Sequence, residues 1–199
     1  MPLQHGIPER FITPIVAYYH QSKKEYIRAN NNIIFYGALS RKENIDTVIW
    51  FVENVLPKLN DIDIRFYVIG GGLSDELRKY SSSRVIFTGY VDKIDEMFSS
   101  AMCFVAPLVM GAGIKVKVLE AMYTGITVIT NDIGIEGIPA IIDKDYYHCE
   151  SADEYASTIR KLYNCELPMI SAKEFVSNSF DINLSFKKYF ELMEMIQAE

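Results

Sequence analysis

One stretch of the chain concentrates residues that can do chemistry: Gly111-Ala112-Gly113-Ile114-Lys115-Val116-Lys117-Val118-Leu119-Glu120, directly after the apolar run Cys103–Ala106 and Pro107. Two glycines in three positions let backbone approach a ligand with no Cβ in the way. From Val116 onward the spacing predicts a helix, and the first amides of a helix are unpaired and point at whatever anion sits there. A lysine at that end opposes the helix dipole unless an anion is present. Lys115 and Lys117 beside the glycines therefore suggest phosphate binding. The competing reading is a plain tight turn with two solvated lysines, and spacing alone does not separate them. Glu120 lies about one helical turn beyond Lys117. It reads either as a salt-bridge partner of Lys117 at a separation of three, which helix spacing favours, or as a carboxylate that accepts hydrogen bonds from sugar hydroxyls.

Other reactive groups are dispersed. His5, His20 and His148 show no metal-ligand spacing, so surface or loop roles are expected and no metal site is. Cys103, Cys149 and Cys165 suggest neither a disulfide framework nor a zinc site, which fits a reducing, cytosolic setting. No Ser-His-Asp or Cys-His grouping can be argued, and the catalytic residues are unknown at this level. Trp50 and Phe51 read as core.

The elements that must position these residues alternate along the chain. Strand-like runs at 33–36, 65–69, 85–88, 103–106, 127–130 and 140–142 end at Gly37, Gly70, Gly89, Pro107 or loop residues. Between them lie helical periodicities. Asn44 is placed to cap the helix that carries Ile45, Val48, Ile49, Val52, Val55 and Leu56, and Ser151 to cap one running to about Tyr163. Phe180–Gln197 reads as a terminal amphipathic helix. Repeated βαβ units with right-handed crossovers predict an α/β fold: a doubly wound, Rossmann-like, mostly parallel six-stranded sheet with helices on both faces. Such sheets bind ligands in the crevice outside the carboxyl ends of their strands. The chain divides into a linker-like segment and first helix over 1–30, the sheet domain over 31–180 and the C-terminal helix over 181–199.

With 199 residues, 49% of them hydrophobic, a sizeable core is expected. The 20 basic residues are outnumbered by 26 acidic ones, a net charge of −6, which argues against a general nucleic-acid binder. No segment is long and apolar enough to span a bilayer, and no signal peptide is visible.

Several motifs recur in one order: Phe35-Tyr-Gly-Ala-Leu-Ser with Asn44-Ile-Asp, Val68-Ile-Gly-Gly-Gly, Val85-Ile-Phe-Thr-Gly-Tyr-Val, Ala106-Pro-Leu, Gly111-Ala-Gly-Ile-Lys-Val-Lys-Val-Leu-Glu-Ala-Met and Gly134-Ile-Glu-Gly-Ile. The series, over roughly residues 32–140, resembles the C-terminal, donor nucleotide-sugar-binding domain of GT-B glycosyltransferases, in particular glycosyltransferase family 4. The resemblance implies half of a GT-B fold, and Gly6–Phe11 resembles the interdomain linker, so an N-terminal acceptor-binding domain is expected as a missing partner. It implies that the donor diphosphate meets Gly37 and its loop together with Gly111, Gly113, Ile114 and Lys115, that the base meets Tyr90 and Val91, and that Glu120 binds the ribose. Three positions depart from the family pattern: Ala38 replaces an arginine, Glu43 a lysine and Ala112 a glutamate. The diphosphate cations would then come from Lys115, Lys117, Arg41 or Lys42.

The implied function is transfer of a sugar from a nucleotide-diphosphate donor to a sugar or lipid-linked acceptor, in polysaccharide or glycoconjugate synthesis, with no cofactor beyond the donor substrate. Alternatives are a nucleotide-sugar epimerase of the same architecture and a non-catalytic nucleotide-sugar-binding or scaffold module. A cytoplasmic location is expected, peripheral at the inner face of the cell membrane if the missing domain makes that contact.

Overall fold

The computed structural model describes Tyr19 and residues 21–197. The Gly6–Phe11 segment, His5 and His20 lie outside the described residues. Six strands form one sheet, β1 (Asn32–Tyr36), β2 (Arg65–Ile69), β3 (Val85–Gly89), β4 (Cys103–Ala106), β5 (Thr127–Thr130) and β6 (Tyr147–His148). Their order is β3-β2-β1-β4-β5-β6, with every pairing parallel. All residues of β4 and β5 are buried, as expected of apolar runs in a sheet covered on both faces.

The helices follow from the crossovers. α1 (Lys42–Trp50) and α2 (Asp75–Arg78) carry the chain from β1 outward to β3, whereas α3 (Ile94–Phe98) and α4 (Val116–Thr124) carry it back across the sheet to β4 and on to β5. Right-handed crossovers in opposite directions place these two sets on opposite faces. α1 widens into a π turn over Phe51–Val55 and tightens again at Leu56–Leu59, where Pro57 sits. Phe51 packs against Phe66 at 4.5 Å between ring centres, and Tyr155 meets both Trp50 and Phe51 edge-on. After the short α5 (Asp132–Ile135), α6 (Ala152–Tyr163) opens with a full capping box between Ser151 and Glu154. α7 (Lys173–Ser179) packs on α4, and α8 (Ile182–Gln197) ends the described chain. None of the described helices is long and apolar enough to cross a membrane.

Two expectations are corrected. The sixth strand is Tyr147–His148, not residues 140–142. Ile141 and Ile142 are exposed, the Ile141 amide is held by the Asp145 carboxylate, and Asp143 adopts a positive φ of 61°. The chain therefore turns here and pairs with β5 only five residues later. Nor does Asn44 cap α1. Arg41 occupies that position, and Asn44 lies buried inside the helix.

Close backbone approach decides one glycine. A Cβ on Gly70 would lie 1.9 Å from the Gly37 carbonyl oxygen, and its φ of +150° disfavours any side chain. Gly70→Ala is therefore expected to destabilise the fold by about 3 kcal/mol, read from the urea midpoint. Tyr155→Phe should behave oppositely: the hydroxyl is buried with no hydrogen-bond partner among the described residues, so its removal should leave stability within about 1 kcal/mol of the parent or raise it.

Candidate functional site

In this strand order the chain leaves β1 and β4, which are neighbours, in opposite directions. A crevice opens between two such diverging loops at the carboxyl ends of the strands. Two cavities lie there. One, of about 640 Å³, is lined by Gly37, Ala38, Gly70, Gly71, Tyr90, Val91 and Glu120. The other, of about 480 Å³, is lined by Arg41, Glu43, Asn44, Gly111, Ile114, Lys115 and Lys117. Both have the β1–α1 connection as one wall and α4 as the other. Ile114, Lys115 and Lys117 thus gather in one cavity and Glu120, Gly37, Tyr90 and Val91 in the next. Gly113 lines neither but contributes its carbonyl to Lys115.

Lys115 occupies the N-cap position of α4, and no side chain caps that helix. Its aliphatic chain folds over Gly111, where a Cβ would stand 3.0 Å from the Lys115 Cε. Its Nζ donates to the Gly113 carbonyl and to Glu136 Oε2 at 3.2 Å. Only 10% of the side chain is exposed, so it is not a solvated surface lysine. Glu136 reaches it because the following loop packs directly on Ile114: a Cβ on Gly137 would come 2.9 Å from Ile114 Cγ1. The Asn131 side chain fixes that loop, accepting the Gly134 amide and donating to the Leu108 carbonyl.

Lys117 crosses the crevice. Its Nζ donates to Asn44 Oδ1 and stands 4.8 Å above the centre of the Phe35 ring. Asn44 Nδ2 in turn donates to the Ala38 carbonyl at 2.8 Å. One side chain of α4 thereby holds α1 and the β1–α1 loop together. Burial pushes the Lys117 ammonium down from its ordinary 10.5 to about 8, with Glu43 opposing the shift and Arg41 and Lys115 reinforcing it. Three cations thus share one corner, and an anion placed there would relieve their mutual repulsion.

Glu120 is half-buried. Burial holds the Tyr36 phenol above its ordinary value, and the nearby Glu120 and Tyr90 add to that shift. Tyr90 is 81% exposed at the cavity mouth. The remaining candidate cations turn to surface carboxylates: Arg41 lies 3.6 Å from Glu43, and Lys42, which lines neither cavity, 2.9 Å from Asp46. Sequence reasoning missed Asn44, Phe35 and Glu136 as partners of the lysines. The only local signal was the Gly134-Ile-Glu-Gly run, whose glycines permit the tight packing.

Residues 30–165 match the family model described as "Glycosyl transferases group 1". The chain is 29% identical over 119 residues to a Klebsiella pneumoniae protein described as an "Uncharacterized 44.6 kDa protein in cps region", covering 54% of this chain and 31% of that protein. Its fold is similar to that of a variant of S. aureus TarM solved with Fondaparinux, alpha-GlcNAc-glycerol and UDP, with a TM-score of 0.71, 18% identity, and coverage of 90% of this chain and 38% of that one. It is likewise similar to Anabaena HepE solved with UDP and glucose, with a TM-score of 0.66, 15% identity, and coverage of 83% and 48%. A glycosyltransferase structure from Rickettsia africae gives a TM-score of 0.71 at 18% identity, covering 85% and 48%. The chain thus spans about a third of its curated relative and less than half of these solved chains.

The depressed Lys117 value sets a pH dependence of stability. Between about pH 8 and 10.5 the unfolded chain keeps the Lys117 proton that the folded chain has released, so this group makes the protein more stable as pH rises through that window. Below pH 8 the buried charge is a constant penalty. Lys117→Met is expected to lack this rise, so that the stability difference between variant and parent shifts toward the parent from pH 8 to 10. Urea midpoints measured across that range read it directly.

Proposed function

The chain belongs to the group 1 glycosyl transferases, and from that premise we propose that it is the donor-binding part of an enzyme that transfers a sugar from a nucleoside-diphosphate sugar to a sugar or lipid-linked acceptor. The observation that carries this reading is the cationic corner at the start of α4: Lys115 at an uncapped helix end and the half-buried Lys117 beside it, next to a second cavity that holds a carboxylate. A diphosphate in the cavity lined by Lys115 and Lys117 meets helix-end amides and two ammonium groups. A nucleoside extending into the second meets Glu120, whose carboxylate accepts ribose hydroxyls, and the Tyr90–Val91 backbone. The same cations would stabilise charge that develops on the departing nucleoside diphosphate in the transition state. The UDP complexes of the TarM variant and of HepE support the choice of ligand class.

Acceptor binding and the catalytic groups are assigned to an N-terminal half. The outer face of α8 supports this division, because Phe186, Tyr189, Phe190 and Met193 are 41–60% exposed, an apolar surface suited to packing against another domain. The isolated chain is accordingly expected to bind donor nucleotide but turn over little of it. A second reading, a nucleotide-binding module without transfer activity, draws on Glu43, a carboxylate that lines the lysine cavity and whose pairing with Arg41 offsets part of its positive charge.

Calorimetry with UDP, GDP and ADP separates these readings from no nucleotide function at all. Lys115→Ala should remove a charge-assisted contact worth about 1.5–3 kcal/mol, a loss of about one to two decades in nucleotide affinity. Glu120→Gln should weaken nucleoside diphosphates more than inorganic pyrophosphate, since only the former carry ribose. Parent-like binding of all ligands by both variants would contradict the assignment.

A further inference from the structure

β5 and β6 run side by side and end at the same edge of the sheet. At this edge stand Asp132, the first residue of α5, His148, the last of β6, and Glu150, which leads into α6. His148 Nε2 lies 2.9 Å from Asp132 Oδ1 and 3.1 Å from Glu150 Oε1. One ligand atom from each residue lies within 4.8 Å of the other two. Around a metal with bonds of about 2.0–2.1 Å, neighbouring ligand atoms are separated by about 2.9 Å in octahedral and about 3.3 Å in tetrahedral geometry. Both imidazole distances fall in that interval.

We propose that Asp132, His148 and Glu150 form a binding site for one divalent cation of the zinc class, with one nitrogen and two oxygen ligands and the remaining positions left to water. A neutral imidazole carries one proton at most on Nε2 and cannot satisfy two carboxylates equally, whereas a divalent cation neutralises both. The surrounding hydrogen bonds hold the ligands in place. The Asp132 amide donates to Glu150 Oε1 at 2.7 Å, which ties the two carboxylate residues together. Glu154 accepts the Glu150 and Ser151 amides and is thereby kept to the capping box rather than the metal. The ligands come from two segments: His148 and Glu150 stand two residues apart at the end of β6, and the parallel pairing of β5 with β6 brings Asp132 beside them.

The position gives the cation a structural role. Asp132 begins the loop that carries Glu136 to Lys115. A metal would anchor the start of that loop to β6, beside but outside the nucleotide crevice, and this inference does not depend on the function proposed for the crevice.

The test titrates the full chain, freed of metal by a chelator, with zinc ion alone, following heat of binding and thermal unfolding. One zinc per chain should bind and raise the unfolding midpoint as its concentration rises. Asp132→Asn, at a side chain 84% exposed, and His148→Gln should each weaken binding at least about tenfold. Cys165→Ser, which removes the exposed thiol, should leave it unchanged. If the parent fails to bind zinc, or if Asp132→Asn binds it as the parent does, the site does not exist.

Discussion

A half-buried lysine joins the two walls of the crevice. Lys117 reaches from α4 to Asn44 on α1, and Asn44 passes the connection on to the Ala38 carbonyl in the first loop of the sheet. The Phe35 ring below supplies a face for the ammonium. Desolvating such a charge is unfavourable, and Arg41 and Lys115 make it more so. A dianion arriving between them reverses the sign of that energy. In the proposed donor-binding role, the groups that repel one another here would be the ones that hold the diphosphate.

The sheet makes this possible. Because β1 and β4 are neighbours whose connections diverge, their loops leave a gap at one point only, and the start of α4 faces it. Glycine supplies the clearance at three levels. Gly70 lets the ends of β1 and β2 come together, Gly111 lets Lys115 fold back over its own loop, and Gly137 lets the Glu136 loop seat against Ile114. Asn131 and Thr130 complete the support, each donating to a backbone carbonyl at or beyond the end of β4.

Strands were legible in the sequence where apolar or β-branched runs of four or five residues stop at glycine or proline, as β1 to β4 do, and β5 as a similar run that stops at Asn131. The last strand was not, because two paired residues carry no periodicity, and the more apolar Ile141-Ile142 nearby is exposed beside a turn in which Asp143 takes a positive φ. The glycine–lysine–glutamate stretch suggested an anion site through local rules alone, free helix-end amides and cations that oppose the dipole, beside the competing reading of a plain turn. What Lys117 touches was illegible, since Asn44 lies 73 residues away. The approach of Asp132 to His148 was likewise illegible, because it depends on the pairing of β5 with β6, whereas Glu150 lies only two residues from His148.

If a diphosphate binds beside Lys117 as proposed, the lysine gains a proton. Calorimetry of UDP binding near pH 8, repeated in buffers of different ionisation enthalpy, measures that proton directly. With the free-state value at about 8, half of the lysines are neutral at that pH, and binding should draw up to about 0.5 proton per chain from solvent, an uptake that Lys117→Met abolishes. Binding of UDP with no proton uptake, or with uptake that persists in Lys117→Met, would contradict the account.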